Sequence, residues 1–231
     1  MSARSDGDTR DEGSSATEAR RWVSGLTSGC CWRAIVVGRT LRALPTARTS
    51  MTTWIALLRG INVGGNNIVP MAELRSDLES LKLENVRTYI QSGNIMFDST
   101  AKTATSLTKT ISGRIEKQYG FRPHLLIFDR NTLQAAITSN PFPKAVSDPK
   151  TLHFFFLDEP ATDPDIAALD RAKTPTERYK LTDRVFYLHA PEGIGRSKLA
   201  ANTERYLGVV TTARNYRTVD KLFSMVTQTD P

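Results

Sequence analysis

The stretch Val86-Arg87-Thr88-Tyr89-Ile90-Gln91-Ser92-Gly93-Asn94-Ile95-Met96-Phe97-Asp98 alternates from Val86 to Gln91, turns tightly at Ser92-Gly93, and resumes as a short strand from Asn94 to Asp98. The period of two puts Val86, Thr88 and Ile90 on one face and Arg87, Tyr89 and Gln91 on the other. The first set is expected against helices, the second on an open face that forms a site wall or an interdomain surface. Upstream, the apolar run Trp54 to Leu58 reads as a buried strand ending at Gly60, where a Gly/Asn loop runs to Asn67. After Pro70, Met71, Leu74, Leu78 and Leu81 fall at helical spacing. Downstream, Thr105 to Tyr119 reads as a helix and Pro123 to Phe128 as a strand, giving the order βαββαβ.

A short helix, about Thr132 to Ser139, leads to Asn140-Pro141-Phe142-Pro143 and a linker over 141–150. The order then repeats: strand Leu152 to Asp158, helix Asp163 to Arg171, strand Arg178 to Thr182, turn Asp183-Arg184 and strand Val185 to His189. Helix Gly195 to Leu207, strand Val209 to Ala213 and a terminal helix Val219 to Val226 complete it. The expectation is an α/β protein of the α+β sandwich type. It would hold two ferredoxin-like units in tandem, residues 51–140 and 151–231, each an antiparallel sheet with helices on one face.

The first fifty residues read differently. They hold 8 Arg, no Lys and 5 acids, both cysteines (Cys30 and Cys31), and no sustained period. Such a leader is expected to be disordered, or to come from a generous start assignment ahead of Met51. Of the chain's formal charge of +7, the leader carries +3, so the basic excess on the rest is modest. No apolar run nears the roughly 20 residues of a membrane helix, and Arg33 and Arg39 break the one candidate signal core. Two adjacent cysteines make neither a disulfide framework nor a spaced zinc set. A cytoplasmic setting with no membrane contact is the expectation.

Four segments stand out: Leu58-Arg59-Gly60-Ile61-Asn62-Val63-Gly64-Gly65, Thr88 to Asn94, Gly193-Ile194-Gly195-Arg196-Ser197-Lys198-Leu199, and Thr212-Ala213-Arg214-Asn215-Tyr216-Arg217-Thr218. Together, and in this order, they resemble the bacterial family catalogued as domain of unknown function 1697, from Met51 to about Val226. The resemblance implies a pair of ferredoxin-like subdomains and no established activity. Similar proteins usually carry Trp where this chain has Tyr216, so an aromatic plate is kept.

The Gly60–Asn67 loop invites a phosphate-loop reading, but it lacks Gly-Lys-Ser/Thr at the required spacing and Gly-x-Gly-x-x-Gly. A turn with positive φ explains Gly64 and Gly65; it does not explain Arg59, Asn62, Asn66 and Asn67. The helix expected from Gly195 places Arg196 and Lys198 in its first turn, where the helix dipole disfavours cations. An anion held there with the Ser197 hydroxyl would reverse that sign, whereas Ser197 on its own is a helix cap. Arg214 and Asn215 follow a strand as Arg59 does. The expected ligand contacts are Arg59, Asn62, Gly64, Gly65, Gln91, Ser92, Asn94, Arg196, Ser197, Lys198, Arg214 and Asn215.

Catalytic signals are thin. Residues 51–231 have no cysteine, and His124, His153 and His189 fall on separate strands without ligand spacing, so no metal or cofactor is expected. His153 with Phe155, and Tyr187 with His189, are expected to pack against the other unit. The leading expectation is a binder of a small phosphorylated or carboxylated ligand in a cleft between the units. A single-stranded RNA module on exposed sheet faces, and an interaction protein whose sheets merely pack together, are the rivals.

Overall fold

A computed structural model describes residues 50–228, so the leader expectation lies outside the described residues apart from Ser50. The first half consists of β1 (Thr52–Arg59), α1 (Met71–Glu79), β2 (Glu84–Tyr89), β3 (Asn94–Ser99), α2 (Ala104–Tyr119) and β4 (His124–Asp129). After α3 (Arg130–Thr138) the second half repeats the order with β5 (Leu152–Leu157), α4 (Ile166–Ala172), β6 (Arg178–Leu181), β7 (Val185–His189), α5 (Lys198–Leu207) and β8 (Thr211–Asn215), and α6 (Tyr216–Thr227) closes it. Each half is a four-stranded antiparallel sheet, ordered β2-β3-β1-β4 and β6-β7-β5-β8. This is the mixed α/β architecture expected from the element order, with the strand order of a ferredoxin-like unit in each half.

Burial on both faces explains the unbroken apolar runs. β1 sends Trp54, Ala56 and Leu58 into a core beneath α1 and α2, which bury Met71, Leu74, Leu78, Leu107, Ile111 and Ile115. Ile55 and Leu57 face the other way, into a core shared by the two sheets and filled from the second half by Leu152, Phe154, Phe156, Val185 and Tyr187. Phe128 stacks on Phe156 across it at 5.1 Å between ring centroids. Helices α3 and α6 contribute Leu133, Ala136, Val219, Leu222 and Val226 to this shared core. A third core, holding Phe155, Leu157, Phe186 and Leu188, lies with Leu169 of α4 and Leu199 of α5. All these elements belong to one compact unit.

Several local expectations are corrected. His153 and Phe155 do not face the other half: Phe155 lies in the helix-covered core, and His153, two residues before it, points the same way. Tyr187 does face the other half, its hydroxyl donating to Ala136 O at 2.8 Å. Ile90 is not a strand residue on the helix face. It sits in the β2–β3 turn at φ 52° and is exposed. Within 141–150, a 3-10 helix spans Pro143–Ser147 and buries Ala145 in the shared core. The helix expected from Gly195 opens instead as a separate 3-10 turn, Ile194–Arg196, before α5 begins at Lys198. Helix α6 starts earlier than expected because Asn215 caps it, accepting Thr218 N at 3.0 Å.

Candidate functional site

Three of the four segments meet at one guanidinium. Arg214, on β8, donates from Nε to Asn94 Oδ1 at 2.6 Å, and from Nη2 to Leu58 O and Ser92 O, both at 2.9 Å. Its Nη1 donates to Ala213 O at 2.8 Å. Asn94 is fully buried and is itself held by Nδ2 donating to Tyr89 O and Ser92 Oγ. Every acceptor around Arg214 is neutral, and desolvation pushes its pKa down to about 10. The side chain therefore joins the end of β1 and the β2–β3 turn in one half to β8 in the other.

The neighbouring loop is equally self-contained. Gly64 and Gly65 both take positive φ, 59° and 78°, and Asn66 N donates to Val63 O at 3.1 Å. That is a two-residue turn of type I′, which demands positive φ at both central positions. Asn62 accepts Val69 N through Oδ1 at 2.8 Å, and its Nδ2 reaches Val69 O and Gln91 O at 3.0 and 2.9 Å. Asn67 Nδ2 donates to Gly60 O. Arg59 Nη1 pairs with Glu204 Oε2 of α5 at 2.6 Å, a second link between the halves.

Around α5 the picture differs. Ser197 is its N-cap, Oγ accepting Ala200 N at 3.0 Å, so Arg196 precedes the helix and Lys198 alone places a cation in the first turn. Lys198, Asn202 and Arg205 recur at i, i+4 and i+7, one helix face. With Asp165 and Arg171 from the α4 segment they line a pocket of about 450 Å³. Asp165 caps α4, Oδ1 accepting Ala168 N at 2.8 Å, and the Arg205 guanidinium lies 5.0 Å from the Tyr206 ring centre. Among the described residues, Arg171, Lys198 and Arg205 make no ion pair.

A larger groove, about 1420 Å³, runs along β4 between the halves. Its walls come from α2, from α3 and from the β7 side of the second sheet, and its floor includes Leu126, Phe128, Phe156 and Tyr187. At one end His124 Nε2 lies 3.8 Å from Asp158 Oδ2. Trp54 also lines it, and the Trp54 Nε1 donor is buried without a hydrogen-bond partner. None of the expected ligand contacts lies on this groove, and of them only Lys198 lines the α4–α5 pocket. Arg205 carried a legible signal in the spacing of α5, Arg171 joins it only through the packing of α4, and Trp54 reads from sequence only as part of an apolar strand. Among the described residues no three His, Cys, Asp or Glu side chains group as metal ligands would.

The family model for "Protein of unknown function (DUF1697)" matches residues 51–187. The chain belongs to this family. The match ends within β7, so the Gly193–Leu199 and Thr212–Thr218 segments of this DUF1697 chain lie beyond it. Among solved structures the chain is similar to the conserved bacterial protein SP0830 from Streptococcus pneumoniae, at 29% identity over 77% of this chain and 99% of that one, with a TM-score of 0.59. No curated protein matches it. No helix among the described residues is long and apolar enough to cross a membrane.

Proposed function

We propose that this DUF1697 protein binds a small phosphorylated or carboxylated ligand in the pocket between α4 and α5. The observation that carries the reading is the set Arg171, Lys198 and Arg205, three cations around about 450 Å³ with one carboxylate, that of Asp165, already serving as a helix cap. Cations gathered without acidic partners raise one another's electrostatic cost, and an anion among them removes it. The volume suits a metabolite-sized ligand, and the amide of Asn202 adds a polar contact on the same wall. The site lies within the second half. Arg59, Asn62, Ser92, Asn94 and Arg214 already have protein partners, which moves the ligand away from the seam between the halves.

An RNA-binding reading needs a free sheet face. Here Ile55, Leu57, Phe154, Phe156 and Tyr187 are covered by the opposite half, so that reading has no platform. Calorimetry with inorganic phosphate and with phosphorylated and carboxylated metabolites tests the proposal. Lys198→Ala and Arg205→Ala are each expected to weaken binding about three- to tenfold, with a shallow dependence on salt. A steep salt slope for a short single strand, with no metabolite bound at millimolar concentration, would refute it.

A further inference from the structure

The two sheets present four edges, and three are protected by familiar devices. β2 carries a bulge between Glu84 and Arg87, with Asn85 at φ 50°. β6 is four residues long and bears Arg178 and Lys180. β8 is tied to the first half through Arg214. β4 has none of these. Its six residues, His124-Leu125-Leu126-Ile127-Phe128-Asp129, keep unbroken register with β1 and contain no lysine, proline or bulge. In an antiparallel strand every second residue turns its N–H and C=O away from the paired neighbour. Those groups on β4 face the interhalf groove.

We infer that the free edge of β4 takes up an extended peptide of about six residues, which adds a fifth strand to the first sheet within the groove. The edge is recessed: Leu125, Ile127 and Phe128 are 4%, 7% and 8% exposed, with α2 on one side and α3 and the second sheet on the other. A slot walled on both sides admits a single strand, whereas the edge of a second folded copy would bring its own walls. Alternate peptide side chains would meet Trp54 on the α2 side and Phe156 on the intersheet side, so the middle of the peptide is apolar. Trp54, 8% exposed, lines the same groove, and its Nε1 has no hydrogen-bond partner. Asp129 stands at one end of the groove, whereas at the other Arg122, His124 and Arg184 are interleaved with Asp158 and Asp183, so an antiparallel peptide begins with a basic residue and its last residue meets a mixed end that offers Arg122 and Arg184 to an acidic one.

The experiment uses the full chain and fluorescein-labelled Lys-Val-Thr-Val-Val-Glu, read by anisotropy. Two versions of the peptide are N-methylated at complementary alternate amides. One-sided strand pairing uses only one of the two sets, so one version is expected to bind about tenfold or more weakly and the other nearly as well as the parent. Hydrogen exchange at the β4 amides should slow when the parent peptide is added. Trp54→Phe, which keeps the ring and loses the N–H, should weaken binding with little change in melting temperature. Lys198→Ala should leave it unchanged, which separates this site from the α4–α5 pocket. Equal binding of the two methylated peptides, no binding of the parent at millimolar concentration, or a dimer whose β4 amides are protected without peptide would each overturn the inference.

Discussion

Replacing Arg214 by alanine removes three hydrogen bonds that cross between the halves, to Asn94 Oδ1, Leu58 O and Ser92 O. Bonds from a charged donor contribute about 1.5–3 kcal/mol each. Against them stands the cost of desolvating the guanidinium. The fall in its pKa from 12.5 to about 10 corresponds to about 3.5 kcal/mol at about 1.4 kcal/mol per unit. The net loss expected for Arg214→Ala is therefore about 1–5 kcal/mol, much of it the penalty of leaving the Asn94 amide oxygen buried and unpaired. Arg214→Lys should recover only part, because an ammonium cannot span three acceptors as a planar fork does. Urea unfolding followed by circular dichroism measures both, and a double-mutant cycle with Asn94→Ala should show strong coupling. A loss under about 1 kcal/mol, additive with Asn94→Ala, would sink the reasoning. If Arg214→Ala instead left stability intact and abolished anion binding, the residue would be a ligand contact after all.

Gly93→Ala should destabilise by about 2 kcal/mol or more, because Gly93 sits at φ 74° and a Cβ there would meet Leu58 Cβ at 2.7 Å and Ile61 Cδ1 at 2.9 Å; chemical denaturation checks it. Arg59→Ala should cost less than about 1 kcal/mol, since Arg59 and Glu204 are 44% and 37% exposed as side chains. Burial lowers the pKa of His153, with a backbone hydrogen bond at Lys150 opposing it. The unfolded chain then binds this proton more readily, so stability should fall as pH drops below 6.5, and His153→Gln should flatten that slope. At the alkaline end, burial holds Tyr119, Tyr179 and Tyr187 at about 12, above their ordinary 10.0. Their contribution is intact below pH 10 and lost as pH rises through about 12. Arg214, protonated more readily when unfolded, acts in the opposite sense over part of that range. Three groups against one should give a net loss, and phenolate absorbance titrated alongside circular dichroism should show ionisation and unfolding together.

The elements were legible because their signals are local. Trp54 to Leu58 and Leu152 to Leu157 are apolar on both faces, the mark of a central strand with a layer on each side. The glycines at 120 and 208 end α2 and α5 in the left-handed conformation, a signal visible in the sequence. What covers the open sheet faces was not legible, since a Phe facing a helix and a Phe facing another sheet look alike in a row such as Phe154-Phe155-Phe156. The protein partners of Arg214 were not legible for a related reason. A strand-end arginine after an apolar run looks the same whether its donors meet a ligand or the carbonyls of a segment more than a hundred residues away. Lys198 kept its place at the start of α5, but Arg196 lost its place there because the chain makes a 3-10 turn before Ser197 caps the helix. The basic face of α5 was readable by counting from Lys198 to Asn202 to Arg205; its completion by Arg171 depended on how α4 packs beside it.

The shared core also bears on what chain continuity accomplishes. The facing sheets, α3 and α6 bury one another's apolar surface, so the covalent passage through 141–150, which adds Ala145 to the same core, joins surfaces that already fit. A break there turns Phe128 against Phe156, Arg214 against Leu58 and Ser92, and Arg59 against Glu204 into contacts between two fragments. Neither fragment alone has a cover for its inner sheet face, so each becomes the obligatory partner of the other. In that sense the molecule is a heterodimer written as one polypeptide, and the second half acts toward the first as a built-in chaperone for the sheet face it would otherwise expose.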